Sequence, residues 1–138
     1  MNFEFKENQK VSLKKKCTGV IFLFQDDEVV FIGQSDNVFS RIEEYKTTKE
    51  FTAWNYIKAP KEDLADLVAK YIIQFKPRLN NIVPPNSVWV SKNSLKVKYG
   101  LSKTSFNKAL KDGLFSEVEY FKTGIYVKFE DVRKWQGA

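Results

Sequence analysis

The chain contains no histidine, and Cys17 is its one cysteine among 138 residues. Without an imidazole, general acid–base catalysis by histidine and His-ligated metal sites are excluded. A lone thiol can build neither an internal disulfide nor a cysteine-based zinc cluster. Long apolar runs are missing too, none approaching the roughly 20 residues that span a bilayer. The opening MNFEFKENQKVSLKKKC lacks the apolar stretch of a secretory signal, so a cytoplasmic location free of the membrane is expected. Internal repeats and low-complexity segments are absent. What is present suits a folded chain: 43% hydrophobic and 15% aromatic residues supply a core, and 29% charged residues argue against wholesale disorder.

The net charge of +6 is unevenly placed. From Pro85 onward there are ten Lys and Arg against five Asp and Glu; residues 1–84 carry thirteen against twelve. The excess therefore belongs to the C-terminal part, as expected either of a surface that meets phosphate backbones or of a solvated basic surface that favours solubility. The basic run Lys14–Lys16 reads as a solvated lead-in rather than a phosphate clamp.

In the N-terminal half, GVIFLF (19–24) and VVFI (29–32) are β-rich runs around a polar loop, which predicts a hairpin. Gly33 ends it, and Asp36 or Asn37 can cap a helix whose buried face is Val38, Ile42 and Tyr45. An extended stretch over 51–57 stops at Pro60. A second helix then carries the stripe Leu64, Leu67, Val68, Tyr71, Ile72 and Phe75 as far as Pro77. Pro84-Pro85-Asn86-Ser87 is the best boundary in the chain.

Beyond it, Ser91 caps a helix to about Lys98, and Gly100 breaks it. Ser102 caps a second, Lys103 to Lys111, which Gly113 ends. Two alternating runs joined at Thr123-Gly124 predict a hairpin, and Glu130 or Asp131 opens a last helical turn with Val132 and Trp135. Helix, turn, helix is a DNA-reading arrangement in which the second helix faces base edges. Its open face offers Lys103, Thr104, Ser105, Asn107, Lys108 and Lys111, with Phe106, Ala109 and Leu110 inward. Lys122 and Lys128 are expected to flank the hairpin tip and grip a backbone.

Two resemblances follow from these pieces. Ser91, Gly100-Leu101-Ser102, Gly113-Leu114-Phe115 and Asp131-Val132-Arg133-Lys134-Trp135 stand in the order of the excisionase and MerR-related winged-helix domains, and 88–135 resembles them. Gly19-Val20-Ile21, Phe31-Ile32-Gly33, Arg41 and Pro77-Arg78-Leu79-Asn80 make residues 19–80 similar to the GIY-YIG nuclease domain. That resemblance implies a divalent cation held by a helix glutamate, aided by tyrosines and an arginine. The glutamate position is Val68, inside the apolar stripe, and the two tyrosine positions are Ile21 and Phe31. Arg41 remains, and Tyr45 lies near a position where many members carry His or Tyr. These two could still hold a phosphate without cutting it, or be a surface ion pair and a packed aromatic.

The expected fold class is α+β: a small GIY-YIG-like α/β sandwich at 17–83 after a lead-in at 1–16, then a winged helix-turn-helix domain at 86–138. The expected function is binding of double-stranded DNA in a phage or mobile-element setting. Catalytic residues and cofactors are expected to be absent, and Arg41 is grouped with the DNA-contacting residues. The alternatives are a Mg²⁺-dependent endonuclease with a rearranged site, or a protein-binding inhibitor of a host DNA-processing factor. A homodimer or a protein partner is compatible with either binding reading.

Overall fold

A computed structural model describes residues 17–137; the Lys14–Lys16 run lies outside them. These residues form a mixed α+β fold with two three-stranded antiparallel sheets and five helices. No helix among them is long and apolar enough to cross a membrane.

The first sheet holds β1 (Gly19–Gln25), β2 (Glu28–Ser35) and β3 (Ala53–Lys58) in the order β2-β1-β3. Asp26 and Asp27 turn the β1–β2 hairpin with φ of 52° and 69°, the paired left-handed geometry that matches strand twist. The register slips between Leu23 and Phe24, which makes Val30 an extra residue. Val30 and Phe31, though consecutive, therefore both pack on the same face.

Each face of this sheet has its own helix. Helix α1 (Val38–Thr48) lays Val38, Ile42 and Tyr45 against Ile21, Leu23 and Val30. Asn37 caps it, its Oδ1 accepting from Ser40 N at 3.4 Å. Helix α2 (Leu64–Phe75) follows Pro60 and a 3₁₀ turn at Lys61–Asp63, and lays Leu64, Val68 and Ile72 against Val20, Phe22 and Ile32. Its buried stripe is rotated from the expected one. Ala69 and Ile73 are buried, whereas Phe75 is 44% exposed at the helix end, stacked on Tyr71.

The outer edge of β2 is closed by the chain leaving α2. Asn80 Oδ1 accepts from Ile32 N and its Nδ2 donates to Ile32 O, both at 2.9 Å, while Leu79 N donates to Val30 O at 3.0 Å. A buried side-chain amide thus takes the place of a neighbouring strand, so these edge groups are not left unpaired.

The second half runs β4 (Trp89–Ser91), α3 (Lys92–Tyr99), α4 (Lys103–Lys111), β5 (Val118–Phe121), β6 (Gly124–Lys128) and α5 (Phe129–Gly137). Its sheet order is β4-β6-β5. Ser91 and Ser102 cap their helices through bonds from Ser94 N and Ser105 N, and Gly100 ends α3 at a φ of 64°. Leu95, Phe106, Ala109, Phe115, Val127 and Val132 make its core. Asp131, near the start of α5, accepts from both Ser116 N and Ser116 Oγ at 2.7 Å, which ties that helix to the segment entering β5.

The two halves share apolar packing. Phe121 and Tyr126 belong to the cluster built on α2, β1 and Val83 rather than to the C-terminal core. Tyr126 Oη accepts from Val83 N at 3.3 Å, and Lys76 pairs with Glu119 at 3.2 Å. The connection between the halves is anchored as well. Ser87 N donates to Asp66 Oδ1 at 2.7 Å, and Asn86 Oδ1 accepts from the backbones of Val88 and Trp89.

Candidate nucleic-acid interface

Helix α4 is amphipathic because Phe106, Ala109 and Leu110 fall on one side of a helix that Ser102 starts and Gly113 ends. Phe106 and Ala109 are buried, while Lys103, Thr104, Ser105, Asn107, Lys108 and Lys111 are all exposed. The open face therefore gathers three ammonium groups, two hydroxyls and an amide on one rigid element. Helix α3 adds Lys96 and Lys98, both exposed, and Lys92, whose ammonium lies 5.5 Å from the Phe106 ring centroid.

The α3 lysines were not among the residues expected to face DNA, although the sequence carried a signal for them. Between Asp66 and Asp112 there is no Asp or Glu, while nine Lys and Arg fall in that interval. Both α3 and α4 lie wholly inside it. No carboxylate on either helix can neutralise its lysines, so the positive potential there adds rather than cancels.

The hairpin lysines are placed differently from expectation. Lys122 does sit at the tip between β5 and β6, with a φ of 53°, but its Nζ donates to Arg78 O at 2.7 Å and lies 3.4 Å from Asn81 Oδ1. It ties the tip to the N-terminal half. Lys128 does not flank the tip at all. It ends β6, pairs with Glu117 at 3.0 Å and lies over the Trp89 ring. The hydrogen bond that Lys128 donates to Glu117, together with that carboxylate's charge, raises the Lys128 pKa above the ordinary lysine range.

The nuclease resemblance implies that its positions share one site. The structure separates them. Ile21, Phe31 and Tyr45 lie on the α1 face of the first sheet, whereas Val68 lies on the α2 face. Val68 is 2% exposed, in the apolar cluster that holds Val20, Phe22 and Ile32. An ionised carboxylate at residue 68 would lose its hydration with no compensating partner, at a cost of several kcal/mol. Ile21 is fully buried. Among the described residues no three His, Cys, Asp or Glu side chains are grouped to hold a metal ion. The residues present thus do not fit a resident catalytic cation at the positions the resemblance assigns.

Arg41 and Tyr45 do come together. Arg41 Nε is 3.9 Å from Glu44 Oε1 at the surface. Burial pushes the Tyr45 phenol above its ordinary pKa, with Arg41 opposing and Glu44 assisting. Tyr45 meets Phe31 edge-on at 5.3 Å, and Lys49 Nζ stands 4.5 Å from the Phe31 centroid and 5.1 Å from that of Tyr45. This is a packed aromatic corner with cations at its rim, where Arg41 is partly exposed beside Glu44.

No family model, no curated protein and no solved structure matches the chain, so its own residues carry the functional reading.

Proposed function

We propose that this protein binds duplex DNA through the exposed face of α4, aided by the lysines of α3, and that its N-terminal half is a nuclease-like scaffold without the nuclease chemistry. The carrying observation is the open face of α4: Lys103, Thr104, Ser105, Asn107, Lys108 and Lys111, all exposed on a helix without a carboxylate. Lysines supply phosphate contacts, and Asn and the hydroxyls can read base edges in a major groove. The succession β4-α3-α4-β5-β6-α5, with β4 and β6 paired, supports a winged-helix-like unit related to the excisionase and MerR-like domains. In that unit the hairpin departs from a free wing, because Lys122 is engaged with Arg78 and Asn81.

The α1 and α2 faces of the first sheet support the scaffold reading for the N-terminal half. Its hairpin, Gly33, Arg41 and Asn80 follow the GIY-YIG pattern, while Ile21 and Val68 are packed apolar residues. The test is fluorescence anisotropy with a labelled duplex. Lys103→Ala combined with Lys108→Ala is expected to weaken binding; unchanged affinity would remove α4 from the DNA surface. Incubating plasmid with the protein and Mg²⁺ or Mn²⁺ addresses the scaffold reading separately. No cleavage is expected, and cutting abolished by Arg41→Ala would restore the nuclease.

A further inference from the structure

An open groove of about 610 Å³ lies where the segment after Asn80 meets the N-terminal ends of α3 and α4 and the tip of the β5–β6 hairpin. Its composition is two-sided. Lys92, Lys96 and Lys103 line it, and no Asp or Glu does so among the described residues. Ile82, Leu101 and Ile125, none of them buried, give it an apolar wall, backed by the core residues Leu95 and Phe106. Asn81 and Asn93 contribute side-chain amides, from opposite sides of the junction between the two halves.

One polar group is built into the wall. Tyr126 lines the groove, is only 6% exposed, and its Oη accepts from Val83 N. With its acceptor role used in that bond, the phenol keeps its own proton to donate. The groove therefore presents cations, neutral donors and an apolar wall together, without a carboxylate to repel an anion.

We propose that this groove is a binding site for a nucleoside phosphate, the base resting on the apolar wall and the phosphate held by Lys92 and Lys96. The volume is that of a small-ligand site rather than of a long peptide channel. Three lysines without a carboxylate select an anion, and lysine serves phosphate well as a point charge. The wall of Ile82, Leu101 and Ile125 would be wasted on inorganic phosphate but covers the face of a base. Asn93 is able to pair with its edge, since an amide offers donors and an acceptor together, and Asn81 keeps its Nδ2 donor while its Oδ1 accepts from Lys122. The site shares Lys103 with the exposed face of α4 and Lys92 and Lys96 with the α3 lysines of the proposed DNA surface, but it does not depend on α4 entering a DNA groove.

The same chemistry reaches the groove from two sources, a free nucleotide or one nucleotide of a single strand. The experiment titrates the full chain with mant-ADP and with labelled, 5′-phosphorylated dT12, using inorganic phosphate as a competitor. Saturable binding of at least one probe is expected, displaced poorly by phosphate alone. Lys92→Glu with Lys96→Glu is expected to weaken it by about tenfold or more, because each reversal replaces attraction by repulsion. Lys61→Ala, an exposed lysine in the 3₁₀ turn before α2 and outside both the groove and the α3–α4 surface, is expected to leave it unchanged. Because the lysine variants sit at the surface, a ¹⁵N–¹H spectrum of the unmodified protein provides a second reading, with shifts expected at Asn81, Asn93 and Thr123. Stronger binding of mant-ADP identifies a free nucleotide as the source, and stronger binding of dT12 identifies a strand. Absence of binding by both probes overturns the proposal. So does binding that the two reversals leave intact, that Lys61→Ala weakens equally, or that shifts other residues instead.

Discussion

The hydroxyl of Tyr45 occupies the space above Gly33 that a Cβ at residue 33 would need, and the Phe31 ring closes the same space from 3.0 Å. Glycine here follows from close approach, because its φ is not in the left-handed region. Gly33→Ala forces a buried, rigid ring to move and is expected to cost about 1–3 kcal/mol. Adding Tyr45→Phe removes the nearest atom and should recover part of the loss. Denaturant melts of the single and double variants check this, and strictly additive losses would contradict the packing described.

Asn80 ties the end of the N-terminal half to β2. Asn80→Ala leaves the N–H and C=O of Ile32 without partners and is expected to cost about 2 kcal/mol, within the range for unsatisfied buried groups. Exchange of the Ile32 amide proton should accelerate markedly. Protection of that amide unchanged in the variant would show that the edge is closed by something else.

Asp131 links stability to pH. The bonds from Ser116 hold its carboxyl below the ordinary carboxylate range. A folded-state pKa below the unfolded one means stability that is complete above the unfolded value of about 3.9 and is lost as pH falls through the folded value. Asp131→Asn is expected to cost about 1–3 kcal/mol at neutral pH and to flatten the acid limb of the stability curve. Melting temperatures from pH 7 down to pH 2.5 measure both effects; an acid limb identical in the two proteins would exclude this carboxylate from the linkage.

Local signals in the sequence were enough for much of this architecture. Ser91, Ser102 and Gly100 delimit α3 and α4 by capping chemistry that acts within a few residues, and Val38, Ile42 and Tyr45 give the buried face of α1 as spaced. What depends on distant partners was not legible. Strand β4 exists because Trp89–Ser91 meets Tyr126–Lys128, and three residues carry no periodicity of their own. The bulge at Val30 is a property of two strands in register. Phe121 and Tyr126 alternate like any hairpin residues, and nothing local says that they pack on α2. The resemblance placed Val68 with Ile21 and Phe31 because motif order in sequence does not say which face of a sheet each side chain takes.

A DNA surface on α3 and α4 requires duplex affinity to depend on salt, because each lysine that meets a phosphate releases counterions. Between 50 and 200 mM salt, log Kobs should fall linearly with log salt, with a slope of about −4 if four or five of the lysines on these helices neutralise phosphates. Lys108→Ala with Lys111→Ala should make that slope shallower by about 2. Affinity that is flat across this range, or a slope the double variant leaves unchanged, would exclude α3 and α4 as the DNA surface.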